Sequence, residues 1–227
     1  RPVEQWIKST MLGANPKKKS KDHRLMEYWD TESVLFGGTY TDLYQVAMGQ
    51  ALFRDGQHQQ SAVFDYFFRR LPFDGGYVVF AGLEPLLEAL ENWHFSGAEI
   101  DYLATLGFAP DYLDYLRNLR FTGAVFAPPE GEVVFPAAPV VRIESTVVQA
   151  QLVETLLLNI LNYSSLIATK AARMREVAGD AILSEFGLRR APGPGGVLAT
   201  RAAVVGGFDS TSNVYAAKRY GLRAEGT

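Results

Sequence analysis

Residues 149–191 read QAQLVETLLLNILNYSSLIATKAARMREVAGDAILSEFGLRRA. Placed on a helix at about 100° per residue, residues 151–175 show one polar stripe and one apolar side. So apolar a helix is typical of a protein interior. Its polar stripe therefore faces a wet cavity or a partner subunit, or else consists of satisfied polar groups in a core. The polar stripe comprises Gln151, Glu154, Thr155, Asn162, Ser165, Thr169 and Arg173, and the apolar side comprises Val153, Leu156, Leu157, Ile160, Ile167, Ala171 and Met174.

The segment after this helix indicates an anion-binding site. Residues 181–186 are predicted to form a short strand, and Arg189 and Arg190 lie beyond its carboxyl end. Two adjacent guanidinium groups at the end of a buried strand offer fixed forks of donors to a phosphate or a carboxylate. The alternative is that the two arginines form surface ion pairs with Glu185 or Asp180.

The composition is that of an ordinary globular protein. Of 227 residues, 48% are hydrophobic and 21% are charged, which is enough chain for one large domain or two small ones. The formal net charge of −3 gives no general attraction to nucleic acid or to an anionic membrane. Cysteine is absent, which excludes disulfides and thiolate sites, and His23, His58 and His94 are too scattered to suggest a zinc site.

Targeting signals are not evident in the sequence. Every apolar run is interrupted well before the roughly 20 residues that span a bilayer, and the start lacks the apolar region of a signal peptide. We therefore expect a cytoplasmic protein. The basic cluster at residues 17–21 is compatible with nucleic-acid binding, but a solvated leader is the commoner meaning of such a run.

The order of elements predicts an α/β fold class, in the form of an α+β layer domain followed by the start of an irregular β/α barrel. We expect residues 1–35 to be a flexible leader and residues 36–150 to be the layer domain. Residues 151–227 are expected to form a bridging helix and the first part of the barrel, which is incomplete at the last residue. Helices are predicted from residue 41 and over 85–93, 97–106, 110–119, 151–175, 198–205 and 211–220, and strands over 61–68, 77–81, 128–136, 139–143, 181–186 and 222–224.

Seven short motifs, in order and at family-like spacing, make the chain resemble the nicotinate phosphoribosyltransferases from about residue 41 onward. Each motif alone is a weak signal, whereas the series is specific. The motifs are TDLYQ (41–45), FR (68–69) with GY (76–77) and AGLE (81–84), PEGE (129–132), ETLLLN (154–159), ATKAAR (168–173), FGLRRA (186–191) and GGFDSTSNV (206–214).

The resemblance implies a reaction, a fold and partners. Members of the family condense nicotinate with phosphoribosyl pyrophosphate to give nicotinate mononucleotide and pyrophosphate, and ATP is the co-substrate that is hydrolysed to ADP and phosphate. The reaction is the salvage entry into NAD synthesis, and it makes the enzyme both a ligase and a glycosyltransferase. Mg²⁺ is the implied cofactor. The implied assembly is a homodimer with active sites at the subunit interface, in which a layer domain packs on an incomplete β/α barrel.

The resemblance also assigns substrate contacts to individual residues. Tyr44 matches an aromatic residue that comes from the partner subunit and covers the pyridine ring, and Phe186 matches the ring on the other face. Arg189 and Arg190 match the arginines that bind phosphate and substrate. Thr227 matches the threonine of a Gly-Thr motif that contacts the nicotinate carboxylate. From the residues alone, Tyr44 and Phe186 are also compatible with core positions.

Ser212 is the position that discriminates between substrates. In the related enzymes that use nicotinamide, an Asp resembles the occupant of this position and accepts the amide N–H, and a fixed carboxylate there would repel an acid. Ser212 carries no charge and can donate a hydrogen bond to a carboxylate, which favours nicotinate. The sequence around Ser212 is also compatible with a helix N-cap.

The chain departs from the family pattern at its end. The family's histidine that takes up phosphate from ATP follows the Gly-Thr motif by a few residues, so we expect it beyond Thr227. No catalytic residue and no metal ligand is identified within the chain. The alternatives that remain are a quinolinate or nicotinamide phosphoribosyltransferase, and a catalytically incomplete fragment that only dimerises or binds ligand.

Overall fold

The computed structural model describes residues 36–226, and the predicted leader and Thr227 lie outside the described residues. Within this part of the chain, no helix combines the length and the apolar character needed to cross a membrane. The helices are α1 (Leu43–Arg54), α2 (Leu83–Asn92), α3 (Gly97–Thr105), α4 (Pro110–Asn118), α5 (Val147–Leu152), α6 (Glu154–Ala178), α7 (Pro194–Val205) and α8 (Val214–Tyr220). The strands are β1 (Ser61–Tyr66), β2 (Val78–Val79), β3 (Ala124–Phe126), β4 (Val133–Val134), β5 (Val141–Thr146), β6 (Ser184–Glu185) and β7 (Ser210–Thr211), and single 3-10 turns cover Pro72–Asp74 and Leu188–Arg190.

An antiparallel sheet and the helices around it enclose the main core. Strand β5 pairs with β1 on one side and with β3 on the other, so that Ile143 lies opposite both Phe64 and Val125. Alternate residues of a strand point to opposite faces, which puts Val141 and Ile143 together on the buried face. These two residues join a large apolar cluster whose fully buried members include Trp93, Tyr112, Phe80, Leu86, Leu116, Leu156 and Ile160.

Helix α6 protects one edge of the two-stranded ladder of β2 and β4 with hydroxyl groups. The backbone N–H of Val79 donates to Oγ1 of Thr169 (2.9 Å), and the N–H of Ala81 donates to Oγ of Ser165 (3.1 Å). Because alternate N–H groups of a strand point to opposite sides, these two point away from β4, and the helix takes the place of a neighbouring strand. Ser165 and Thr169, two members of the polar stripe, are therefore satisfied core groups.

The long helix predicted over residues 151–175 is divided in the structure. Val153, with ψ near −4°, separates α5 from α6. Helix α6 ends before Gly179, whose positive φ of 56° suits glycine at a helix C-terminus. Helix α7 packs closely on α6 because Gly206 has no side chain: a Cβ there would lie 2.3 Å from the carbonyl oxygen of Ala168.

The last part of the described chain forms a small parallel sheet. Strand β6 pairs in parallel with β7, with Ser184 beside Ser210 and Glu185 beside Thr211. Thr211 also bridges in parallel to Ala224. The combination of helices with antiparallel and parallel strands confirms the predicted α/β fold class.

Some predicted boundaries near this sheet were wrong. The helix predicted over residues 211–220 is the shorter α8, because Asn213 caps it by accepting a hydrogen bond from the N–H of Ala216 (3.1 Å). Ser212 is therefore not the N-cap. The strands predicted over 181–186 and 222–224 are reduced to β6 and to a single bridge, since their pairing partner β7 is itself only two residues long, and β3 was not predicted.

Candidate functional site

Three chain segments end together at one edge of the parallel sheet. The backbone N–H of Ser212 donates to the carbonyl oxygen of Glu185 (3.0 Å), and the N–H of Glu225 donates to the carbonyl oxygen of Thr211 (2.9 Å). These bonds extend the pairing of β6 with β7 and add the chain around Ala224 as a third member. In β/α folds the carboxyl ends of parallel strands carry the active site, so this edge is the candidate site.

Phe186 and Ser212 leave this edge side by side. Phe186 follows Glu185, and Ser212 follows Thr211, and these two preceding residues are paired in register. Both side chains are exposed, Phe186 to 45%. An exposed ring beside an exposed hydroxyl can stack on a flat heterocycle and donate to a carboxylate that the heterocycle carries.

Arg189 and Arg190 lie in the 3-10 turn that follows Phe186. Arg190 folds back over the strand end, where its Nη1 donates to the carbonyl oxygen of Phe186 (3.1 Å). Both arginines are exposed, and among the described residues neither pairs with Glu185 or Asp180. The two guanidinium groups are therefore available to an anion at this edge.

No sequence pattern singled out the residue that holds this edge together. Glu185 is only 9% exposed, and its Oε2 accepts from the hydroxyls of Thr200 and Thr211, both at 2.9 Å. Its Oε1 accepts from the N–H of Gly187. Asn213 closes the network, because its side-chain amide donates to Thr200 (3.2 Å) and its backbone N–H donates to Thr211 (3.0 Å). We call these four residues, Glu185, Thr200, Thr211 and Asn213, the buried ring. The only feature of the sequence that pointed to it is a glutamate inside a predicted buried strand.

Tyr44 lies elsewhere, on the first turn of α1. It is 52% exposed, and its hydroxyl accepts from the side-chain amide of Gln45 (3.3 Å). Gln45 is buried against the start of α6, where it donates to Glu154 (2.9 Å) and accepts from Thr155 (2.9 Å). Among the described residues, no hydrogen bond and no ring contact joins Tyr44 to Phe186, so the two predicted aromatic residues are not stacked on each other within one copy of the chain.

An open groove of about 460 Å³ runs along α6. Its walls extend from Asp42, just before α1, to Leu166 of α6. Burial and the negative charge of Glu185 both raise the pKa of Tyr163, one of the residues that line the groove. Thr155 and Asn162 line the groove, so these members of the polar stripe border open space.

Two of the motifs meet at a partly buried ion pair away from the candidate edge. Arg201 of α7 donates through both terminal nitrogens to Glu130, at 2.8 and 2.6 Å, and it also pairs with Glu84. Glu130 further accepts from the N–H groups of Gly82 and Leu83 at the start of α2. Burial alone would raise the pKa of Glu130, but hydrogen bonds from Arg201 and Gly82 outweigh that effect and lower the pKa. These motif residues therefore tie α2 to α7.

The remaining predicted groups are not placed by the structure. Thr227 lies outside the described residues. Within residues 36–226, no cluster of three or more His, Asp or Glu side chains could hold a metal ion. The two carboxylates of the parallel sheet, Glu185 and Glu225, already accept from Thr200 and Ser210. We therefore assign none of the described side chains to the Mg²⁺ that the resemblance implies.

Comparison with known proteins identifies the family. The family model described as the nicotinate phosphoribosyltransferase (NAPRTase) N-terminal domain matches residues 39–162. The nicotinate phosphoribosyltransferase of Bacillus subtilis is 50% identical over 190 residues, which cover 83% of this chain and 39% of the relative. That of Caenorhabditis elegans is 47% identical over 193 residues, which cover 82% of this chain and 34% of the relative.

Solved structures show the same relationship. The crystal structure of human nicotinic acid phosphoribosyltransferase matches with a TM-score of 0.77 and 39% identity, over 82% of this chain and 39% of that one. A nicotinate-nucleotide pyrophosphorylase from Pyrococcus furiosus matches with a TM-score of 0.67 and 26% identity, over 84% of this chain and 41% of that one. The chain thus spans 34–41% of the length of these relatives. Because the family model covers more than half of it, the chain belongs to the nicotinate phosphoribosyltransferase family.

Proposed function

We propose that this chain is the pyridine-binding part of a nicotinate phosphoribosyltransferase. The reaction condenses nicotinate with phosphoribosyl pyrophosphate to nicotinate mononucleotide and pyrophosphate, with ATP hydrolysed to ADP and phosphate, in NAD salvage. The observation that carries the proposal is the pairing of β6 with β7. This pairing sets the exposed Phe186 beside the exposed Ser212, and the turn that follows Phe186 carries Arg189 and Arg190.

The proposed chemistry is displacement at the anomeric carbon of the ribose. The pyridine nitrogen attacks with its free lone pair, pyrophosphate leaves with the bonding pair, and positive charge develops on the ribose. No general base is needed, because the attacking nitrogen carries no proton. The residues of this chain act by positioning and charge stabilisation. Phe186 stacks on the pyridine ring, and Arg189 and Arg190 donate to phosphate oxygens.

The proposal extends to groups that the described residues do not contain. Thr227 donates to the nicotinate carboxylate, a histidine beyond it takes up phosphate from ATP, and Mg²⁺ is the cofactor. Tyr44 is contributed by a second copy of the chain in a homodimer. Its exposure, and the absence among the described residues of a hydrogen bond or ring contact between it and Phe186, support that arrangement. The proposed compartment is the cytoplasm.

The preference for the acid over the amide depends on Ser212. A neutral hydroxyl can donate to the nicotinate carboxylate, whereas a fixed carboxylate at this position repels it. The test is kcat/KM of the full-length gene product with nicotinate, nicotinamide and quinolinate. We expect nicotinate to be the preferred substrate. A preference for either of the other two pyridines overturns the proposal.

Substitution of Ser212 sharpens this test. Ser212→Asp is expected to lower kcat/KM for nicotinate about 100-fold, because it places a like charge against the substrate. The control Ser212→Ala removes one hydrogen bond without adding charge, and its expected loss is about tenfold. Equal losses in the two variants would show that charge at this position does not select the acid.

A shared active site also predicts complementation between two inactive variants. Tyr44→Ala and Phe186→Ala damage contributions from different copies, so a mixed dimer has one site with both defects and one with neither. Purified mixed dimers from coexpressed, differently tagged chains are expected to recover about half of the wild-type activity. An inactive mixed dimer, or full activity in a monomer, contradicts the shared site.

A further inference from the structure

The two faces of the small parallel sheet carry different side chains. Ser184 and Ser210, whose hydroxyl oxygens lie 2.6 Å apart, share one face with Glu225, to which Ser210 donates (2.8 Å). Because side chains alternate along a strand, Glu185 and Thr211 point to the opposite face. Their hydrogen bonds to Thr200 and Asn213 show that this second face is covered by α7 and by the start of α8.

The carboxylate of Glu185 consequently lies behind the wall that carries the candidate site. Phe186 and Ser212 follow the last residues of β6 and β7, and both side chains are exposed, whereas Glu185 is only 9% exposed beneath α7 and the start of α8. We therefore expect a ligand held between the two exposed side chains to lie out of reach of the Glu185 carboxylate. Any effect of Glu185 on such a ligand must pass through the backbone that it holds.

The buried ring is hydrogen bonded throughout but carries an uncompensated charge. The donors to Glu185 are two hydroxyls and one backbone N–H, all neutral, and no cation among the described residues pairs with it. Burial of a carboxylate without a cation is costly, and apolar side chains of similar size would fill the space without that penalty. The network instead fixes the relative positions of the backbone segments that it joins, because hydrogen bonds are directional and apolar contacts are not.

The ring joins the elements whose relative position defines the site. Glu185 and Thr211 immediately precede Phe186 and Ser212, and Thr200 adds α7 as a third point of attachment. We propose that Glu185 is a positioning residue, which sets the separation of Phe186 from Ser212 so that the ring and the carboxylate of nicotinate are held together. The inference rests on the proposed function and adds a residue to it.

The test is steady-state kinetics of the full-length gene product. Glu185→Ala is expected to lower kcat/KM for nicotinate about 100-fold, because a displacement of about 1 Å near a reacting group has an effect of that size. The loss is expected mainly as a raised KM for nicotinate. A merely structural role would lower the folded fraction, and hence kcat, and would leave that KM unchanged. Glu176→Ala, an exposed glutamate of α6, is the matched control, with an unchanged KM for nicotinate.

The isosteric variant Glu185→Gln is expected to recover most of the loss, to within about tenfold of the wild type. Glutamine keeps the shape of the side chain, and the displaced hydroxyl protons have other acceptors nearby. Thr200 can donate to the carbonyl oxygen of Gly196 (3.0 Å), and Thr211 can donate to the backbone carbonyl of residue 185 (3.3 Å). Rescue by glutamine with failure of alanine supports a geometric role.

An unchanged KM for nicotinate in folded Glu185→Ala protein overturns the inference. Should that variant fail to fold, Thr200→Val decides, because it removes one donor and keeps the side-chain shape. We expect its KM for nicotinate to rise about tenfold, and an unchanged value overturns the inference. The proposed function fails separately, when the wild-type protein does not turn over nicotinate at all.

Discussion

The interior of residues 43–161 is mainly apolar, whereas the interior of residues 184–217 is built from small and polar side chains. The helices and strands between residues 43 and 161 enclose an apolar cluster whose largest members, Trp93, Tyr112 and Phe80, are at most 1% exposed. The segment from residue 184 to 217 encloses small and polar side chains. Besides glycines and alanines, its buried residues are Glu185, Thr200, Ser210, Thr211 and Asn213.

The apolar interior is expected to supply most of the stability of the fold, and the polar interior to fix the positions of the side chains at the candidate site. Burial of apolar surface is the larger contribution to folding free energy, but it is non-directional and sets distances loosely. Hydrogen bonds contribute less net free energy each, and they fix both distance and angle. Substitutions in the first interior should therefore reduce the free energy of unfolding most, and those in the second should reduce activity more than stability.

The largest effect on stability is expected at Trp93. This side chain is 1% exposed and packs edge-on against Phe95, with ring centroids 5.5 Å apart. Trp93→Ala leaves a cavity and is expected to lower the free energy of unfolding by about 3–5 kcal/mol, measured by urea denaturation. The control is Phe186→Ala, at the candidate site. It should change the free energy of unfolding by no more than about 0.5 kcal/mol while abolishing nicotinate turnover. Equal losses of stability in the two variants would contradict the distinction between the two interiors.

The next largest effect is expected at the ion pair between the two parts. The side chains of Arg201 and Glu130 are each only 14% exposed. Arg201→Ala leaves the partly buried Glu130 carboxylate without its cation, and the expected loss is about 3 kcal/mol in urea denaturation. Arg201→Lys keeps the charge but loses the two-pronged geometry, so its loss should be intermediate. An unchanged free energy of unfolding in Arg201→Ala would show that α2 and α7 are held together by other contacts.

The same pair predicts a pH dependence of stability. The pKa of Glu130 is lowered from its ordinary value of 4.5 in the folded chain. A group with a depressed folded pKa stabilises the fold above its unfolded pKa, and that stabilisation is lost as pH falls through the folded value. Below about pH 4.5, the urea midpoint of the wild type should therefore fall more steeply than that of Glu130→Gln. Glu91→Gln, at an exposed residue, is the control and should follow the wild type; parallel curves for Glu130→Gln and the wild type would contradict the prediction.

The smallest effects are expected at two helix caps, one in each interior. The side chain of Ser96 accepts from the N–H of Glu99 (3.3 Å), and that of Asn213 accepts from the N–H of Ala216 (3.1 Å). Alanine at either position should lower the free energy of unfolding by about 1 kcal/mol. Only Asn213→Ala should also raise the KM for nicotinate, because Asn213 belongs to the buried ring. A raised KM in Ser96→Ala would remove the distinction between the two interiors.

Much of the fold followed from local sequence patterns. Helices α3 and α4 end within one residue of the predicted 97–106 and 110–119, because their apolar residues recur at the helical period. The strands near the site were predicted less well. Ser210 and Thr211 were expected to lie near or in a helix, since a strand of two residues has no period to read.

The candidate site was predictable only in part. The predicted positions Phe186 and Ser212 lie side by side, with Arg189 and Arg190 on the adjoining turn, whereas Tyr44 lies at the start of α1. These placements do not test the roles of the side chains, which stay predictions. The arrangement depends on the pairing of β6 with β7, and that pairing is not encoded in either segment alone.

The sequence by itself determined the helical periods, the ordered family motifs and the absence of charge at position 212. Only the tertiary structure decided that Glu185 lies behind the site and that Arg201 ties α7 to α2. The physical reason is distance along the chain: the partners of Glu185 are 15 and 26 residues away, and Glu130 is 71 residues from Arg201. Local periodicity predicts which face of a helix or strand is buried, but it does not predict which distant side chain packs against that face.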